Sequence, residues 1–152
     1  MKKVAIIICV LFSLNGFSQN ANKLTSEFNL EKKVAIQGYD PVTYFKQSKA
    51  VKGNKELSAV FEGVNYYFSS SENKEAFLKK PSAYEPQYGG WCAFAMGDSG
   101  EKVTVNPYTF KIIDGKLYLF YNAYFTNTLK SWNKDQDNLK TKADVNWRKI
   151  IN

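Results

Sequence analysis

Apolar residues in this chain fall into short blocks separated by polar stretches. The first block, residues 4–14, is almost unbroken (Val-Ala-Ile-Ile-Ile-Cys-Val-Leu-Phe-Ser-Leu) and follows Lys2 and Lys3. Asn15 and Gly16 end it, and Gly16 and Ser18 place small residues before Gln19. This pattern reads as a secretory signal peptide over 1–18. It is too short to cross a bilayer, which takes ~20 apolar residues. Cys9 lies inside the run and not at its end, which argues against a lipid anchor. A polar leader follows over 19–34, and one domain is expected over 35–152.

Within that domain the periodicity alternates between the two types. Asp40 followed by Pro41 reads as a cap with proline at the first helical position, so a short helical turn begins there. Residues 46–57 read as a lysine-bearing loop. The β-rich runs 59–61 and 66–68 flank Glu62-Gly63-Val64-Asn65, which predicts a hairpin. A helix should start after Ser69 or Ser70, with Ser69 and Glu72 as a capping box, and stop at Pro81. Residues 89–96 (Gly-Gly-Trp-Cys-Ala-Phe-Ala-Met) read as a short buried strand. Asp114-Gly115 between 109–113 and 117–121 is the strongest hairpin signal in the chain. Leu129, Trp132, Leu139, Ala143, Trp147 and Ile150 line one face of two helices broken near 133–137. No internal repeat or low-complexity block is read. The order predicts an α+β fold: a small, mainly antiparallel sheet of short strands and hairpins, with a capped central helix and C-terminal helices.

Composition narrows the function classes. The 152 residues carry no histidine. That excludes a Ser-His-Asp triad, a Cys-His dyad, a histidine-ligated haem and a histidine general base. Net charge is +7 over the whole chain. Lys46, Lys49, Lys52 and Lys55 recur every three residues, among glycine, serine and asparagine, and read as a solvated loop. Arg148 is the lone arginine, so nucleic acid is not an expected partner. Signal cleavage would leave one cysteine, Cys92, and one methionine, Met96, and no transmembrane segment. The expected location is the periplasm or the exterior, without an internal disulfide.

Several segments together resemble the YHS domain family, in its exported stand-alone branch. They are Gly38-Tyr39-Asp40-Pro41-Val42, Tyr66-Tyr67-Phe68-Ser69-Ser70, Gln87-Tyr88-Gly89-Gly90-Trp91-Cys92-Ala93, Ile113-Asp114-Gly115-Lys116-Leu117-Tyr118-Leu119 and Ala143-Asp144-Val145-Asn146-Trp147. The resemblance spans about residues 35–150 and implies a compact α+β fold without one defined activity. Metal-handling members carry cysteines where this chain resembles them with Thr43, Ser69 and Asn73. The resemblance therefore implies that those thiol ligands are missing, and a cofactor is not expected. Copper or another soft ion would have only Cys92 and Met96 to bind.

Cys92 is the residue on which chemistry would rest. It is either a small buried hydrophobe or an exported lone thiol kept for use. Gly89 and Gly90 before it permit close backbone approach, and the resemblance implies a cysteine in this region, favouring redox or soft-ligand chemistry. The expected site is a pocket formed by Tyr88, Gly89, Gly90, Trp91 and Cys92, with Tyr39 and Asp40. On a strand Cys92 and Met96 would lie ~13 Å apart, too far to share an ion. Three functions follow. The first is a non-catalytic envelope module holding a small ligand or soft metal ion at Cys92, or serving an envelope protein. The second is a thiol enzyme or redox protein. The third is a structural domain without chemistry. No base or resolving thiol supports the second.

Overall fold

The computed structural model describes residues 25–152. The expected signal peptide and the start of the expected leader lie outside the described residues. The fold is α+β. In chain order the strands are β1 (Leu30–Glu31), β2 (Val34–Ala35), β3 (Asn54–Phe61), β4 (Val64–Phe68), β5 (Asn106–Ile113), β6 (Lys116–Phe120), β7 (Asn122–Ala123) and β8 (Thr126–Asn127). The α-helices are α1 (Thr43–Lys46), α2 (Ser71–Lys79), α3 (Ala93–Asp98), α4 (Thr128–Trp132) and α5 (Gln136–Ile151). One sheet has the order β1-β2-β4-β3; β5-β6 and β7-β8 are separate ribbons. Pairing is antiparallel except between β2 and β4.

Both expected hairpins form. Glu62-Gly63 and Asp114-Gly115 are their two-residue turns, with all four residues in the left-handed region. Both central residues of a type I′ turn need that conformation. β3 begins at Asn54, so the expected loop is shorter than 46–57. The expected leader is also shortened. Phe28 packs against Trp147 with ring centres 6.0 Å apart, and Asn29 bonds through its backbone and side chain to the carbonyls of Gly89 and Gly90. β1 then pairs with β2, across the expected boundary at 34/35.

Two local readings are corrected. Ser70, not Ser69, caps α2: its side chain accepts from Asn73 N, while Ser69 turns to Asp40. Residues 89–96 do not form a strand. They pass through a 3-10 turn (Gln87–Gly90) into α3, with Met96 N–H donating to the Cys92 carbonyl at 3.0 Å. A short apolar run has no period that separates a buried strand from a buried helix. Here Ala93, Ala95 and Met96 favour helix. The helix is apolar around most of its surface because it packs between β6 and α5. Gly97 allows that contact, since a Cβ there would lie 2.4 Å from the Leu139 carbonyl oxygen. Cys92 and Met96 are thus one helical turn apart, not ~13 Å.

The buried residues form two clusters. Phe77 is central to the first, its ring within 6.4 Å of Phe61, Tyr66, Phe68 and Tyr84. The second gathers Met96, Tyr118, Phe120 and fully enclosed Trp132 with Leu139 and Ala143. All six residues expected on the inner helical face lie in or against this second cluster.

The reading of a chain without internal repetition is overturned. Residues 34–70 and 86–122 have the same backbone plan at a constant spacing, as from Asn54 to Asn106. β3-β4 and β5-β6 match in length, turn and bulge: Asn54↔Phe68 and Ser58↔Tyr67 correspond to Asn106↔Phe120 and Phe110↔Leu119. Asn54 Oδ1 accepts from Glu56 N, and Asn106 Oδ1 accepts from Tyr108 N, each at 3.0 Å. The parallel pair Val34↔Asn65 recurs as Pro86↔Leu117. Ile36-Gln37-Gly38 and Tyr88-Gly89-Gly90 are both left-handed. Asp40 N and Cys92 N each donate at 2.9 Å, to Val51 O and Val103 O. Few residues repeat (Gly38/Gly90, Val51/Val103, Asn54/Asn106, Gly63/Gly115, Tyr66/Tyr118 and Phe68/Phe120), which is why the duplication is faint in the sequence. The halves diverge after residue 122, where β7-β8 precedes the helix of the second half.

Candidate functional site

The duplication gives Asp40 and Cys92 equivalent places, and each ties a helix to the end of its hairpin. Asp40 and Thr43 are fully buried and Asn73 nearly so. The Asp40 carboxylate accepts from Val42 N (2.9 Å), Ser69 N (2.8 Å), Ser69 Oγ (2.7 Å) and Asn73 Nδ2 (2.8 Å). Thr43 Oγ1 donates to the Asp40 carbonyl at 2.9 Å, and Lys46 Nζ reaches Asn73 Oδ1 at 3.5 Å. The expected Asp40-Pro41 cap is displaced: α1 begins at Thr43 with Val42 at its cap position, Asp40 closes only the preceding turn through Val42 N, and most of its bonding capacity serves Ser69 and α2. Four hydrogen-bond donors on its two oxygens satisfy this buried side chain. Ser69 and Asn73 thus meet on the Asp40 carboxylate, and Thr43 holds the backbone carbonyl of the same residue.

Cys92 performs the same task with sulfur. Its Sγ accepts from Tyr121 N at 3.3 Å, as Asp40 accepts from Ser69 N. Thr128 Oγ1 lies 3.4 Å from the sulfur and donates its own proton to the Tyr121 carbonyl at 2.9 Å. The thiol is therefore the donor to Thr128. Cys92 is fully buried and does not line the two clefts described below. Its expected place at the centre of a pocket is corrected: both sides of the sulfur are engaged in holding β6 and α4 together.

The expected site separates into distinct places. Tyr88 and Gly89 line a cleft of about 480 Å³. The Gly90 carbonyl accepts from Asn29 Nδ2, and the Trp91 indole N–H donates to Glu27 O at 2.7 Å. Tyr39 and Asp40 belong to the first half. The Tyr39 hydroxyl donates to that of Tyr108 at 2.9 Å, which raises the Tyr39 pKa.

The cleft beside Tyr88 and Gly89 is built from distant segments. Gly89 has φ +59°, and a Cβ there would lie 2.8 Å from Phe28 and 2.9 Å from Trp147. Only glycine fits a left-handed turn pressed between two aromatic rings. Tyr88, also left-handed, donates from its hydroxyl to Asp144 Oδ1 at 2.9 Å. Burial, then that bond, raises the Tyr88 pKa strongly. Glu85 contributes a half-buried carboxyl that accepts from the Tyr66 hydroxyl at 2.9 Å. Burial raises the Glu85 pKa, and the tyrosine bond opposes the shift. Lys116 and Arg148 supply positive charge to the same cleft.

Phe28, Glu85, Lys116, Asp144, Trp147 and Arg148 escaped the sequence reading of the site. They come from the expected leader, the linker between two prolines, a hairpin turn and the last helix, and nothing local joins them. One signal existed: Ala143-Asp144-Val145-Asn146-Trp147 belongs to the resemblance, and puts Asp144 and Trp147 on one face of α5. Comparison with family models, with curated proteins and with solved structures finds no match to this chain. No helix among the described residues is long and apolar enough to cross a membrane. No group of three or more acidic, cysteine or histidine residues able to hold a metal ion occurs among them.

Proposed function

We propose that this protein is an exported, non-catalytic binding module of the YHS type. It holds a small amphoteric ligand with a flat apolar part, of the kind an aromatic amino acid or short peptide presents. The observation that carries this reading is the Gly89 turn, strained at Tyr88 and pressed against Phe28 and Trp147 where it walls the cleft. Left-handed backbone at a bulky residue costs about 1–3 kcal/mol, and such strain concentrates at ligand sites. The lining chemistry sets the ligand class: two carboxylates, two cations and two aromatic walls. The convergence of Thr43, Ser69 and Asn73 on Asp40 supports the family reading. Cys92 supports neither a metal anchor nor a nucleophile, because its sulfur is enclosed and shared between Tyr121 and Thr128.

Backbone NMR with a panel of aromatic amino acids and dipeptides tests the reading. Saturable shifts should centre on residues 85–89 and 144–148. Trp147→Ala and Asp144→Asn should each weaken binding about tenfold or more, while Cys92→Ala leaves it unchanged. Binding that maps elsewhere, or no binding by any amphoteric probe, would remove the proposal.

A further inference from the structure

The first half has its own cleft beside the equivalent left-handed turn. It measures about 490 Å³. Val34 and Gln37 line it, and they correspond to Pro86 and Gly89 of the cleft described above. Its chemistry differs. Lys32, Lys52 and Lys55 face a single carboxylate, Glu31, and the hydroxyl-bearing residues Ser58 and Tyr67 add donors. The scaffold does not dictate the lysines: Thr104 and Pro107 stand in the second half where Lys52 and Lys55 stand in the first. Lys52 is held in place, since its Nζ donates to the Gln37 carbonyl and lies 4.6 Å from the centre of the Tyr39 ring. Lys46 and Lys49 lie outside this cleft, so the evenly spaced lysines of the sequence separate into two groups.

Left-handed backbone borders this cleft at two of its lining residues, Lys32 and Gln37, and at their neighbours Lys33 and Ile36. Lys32 (φ +53°), Lys33 (φ +68°), Ile36 (φ +49°) and Gln37 (φ +52°) are left-handed non-glycine residues within six positions. For β-branched Ile36 that conformation is an outlier. Lys32 and Lys33 are the two turn residues between β1 and β2, whereas Gln37 holds without glycine the left-handed conformation that Gly89 has in the other half, which persists only where the surroundings hold it.

We propose that this cleft is a second binding site, for a small multiply charged anion of the phosphate or dicarboxylate type. Three ammonium groups against one carboxylate make a donor-rich, positive concavity, which favours such anions over neutral or cationic ligands. The proposal rests on this half alone and stands whether or not the Tyr88–Gly89 cleft binds an amphoteric ligand.

Inorganic phosphate and succinate, titrated separately against labelled protein at low and moderate salt, test it. Expected are saturable shifts at Gln37, Gly38 and residues 52–58 that weaken as salt rises. The anion with the lower Kd identifies the head group. Lys55→Gln, which leaves the Lys52 contacts in place, should raise that Kd several-fold, and Lys52→Gln with Lys55→Gln by about tenfold or more. Trp147→Ala should not change it. Shifts that fail to saturate, that spread over all surface lysines, or that survive both lysine substitutions would overturn the site.

Discussion

Two equivalent buried residues carry the clearest consequences at the scale of single side chains. Asp40 satisfies three donors besides the Val42 amide, so Asp40→Ala leaves buried polar groups without partners. Denaturant unfolding should show a loss of about 3 kcal/mol or more. Asp40→Asn should also be costly, because its amide would turn donors toward donors. Cys92 is expected to react with a thiol reagent only as fast as the protein unfolds. Cys92→Ala removes an acceptor of the Tyr121 amide and some volume, at about 1–3 kcal/mol. Rapid labelling of native protein would contradict that assignment. Glu85 carries a pH dependence. Its folded pKa is raised, chiefly by burial, so its contribution is most favourable below the unfolded value near ~4.3. It becomes unfavourable as pH rises through the folded value. Glu85→Gln should therefore raise Tm at pH 7, with an advantage that shrinks as pH falls from the raised folded value toward about 4.3 and is gone below it.

At the scale of elements, legibility followed the type of signal. Both hairpins were readable because Glu62-Gly63 and Asp114-Gly115 have a turn chemistry that acts locally. The C-terminal helices were readable because six apolar positions repeat at helical spacing over twenty residues or so. Helix α3 was not, because six residues, five of them buried or partly buried, are too few and too uniformly apolar to show an amphipathic period. Its position depends on Gly97 against the Leu139 carbonyl. Gly97→Ala should force α3 and α5 apart and lower stability by about 1–3 kcal/mol, seen in denaturant unfolding. The cap of α2 was ambiguous between neighbouring serines until Asp40 claimed Ser69. Ser70→Ala should cost about 1 kcal/mol through loss of the bond to Asn73 N. Had Ser69 been the cap, the same substitution would be nearly silent.

For the whole molecule, the duplicated halves do not form independent cores. Cys92, Val105, Leu117 and Leu119 of the second half pack in the cluster around Phe77. Tyr44 Oη donates to Pro107 O, and Gln37 Nε2 to Val105 O. Separate chains 25–84 and 85–152 should each lack fixed tertiary structure by near-UV circular dichroism, and should recover it on mixing. The amino-acid sequence by itself determined the α+β class, both hairpins, the central helix and the inner face of the last helices. Those features follow from steric and periodic rules that act over a few residues. The tertiary structure alone decided that the chain is a repeat, that Asp40 and Cys92 are equivalent scaffold residues, and which side chains face a cleft. Backbone conformation can persist where only the glycine, the turn residues and a few core positions are retained, so the repeat left little trace in residue identity. The cleft joins Phe28, Glu85, Lys116 and Trp147 across long stretches of chain, and such proximity arises only when the helices and hairpins pack.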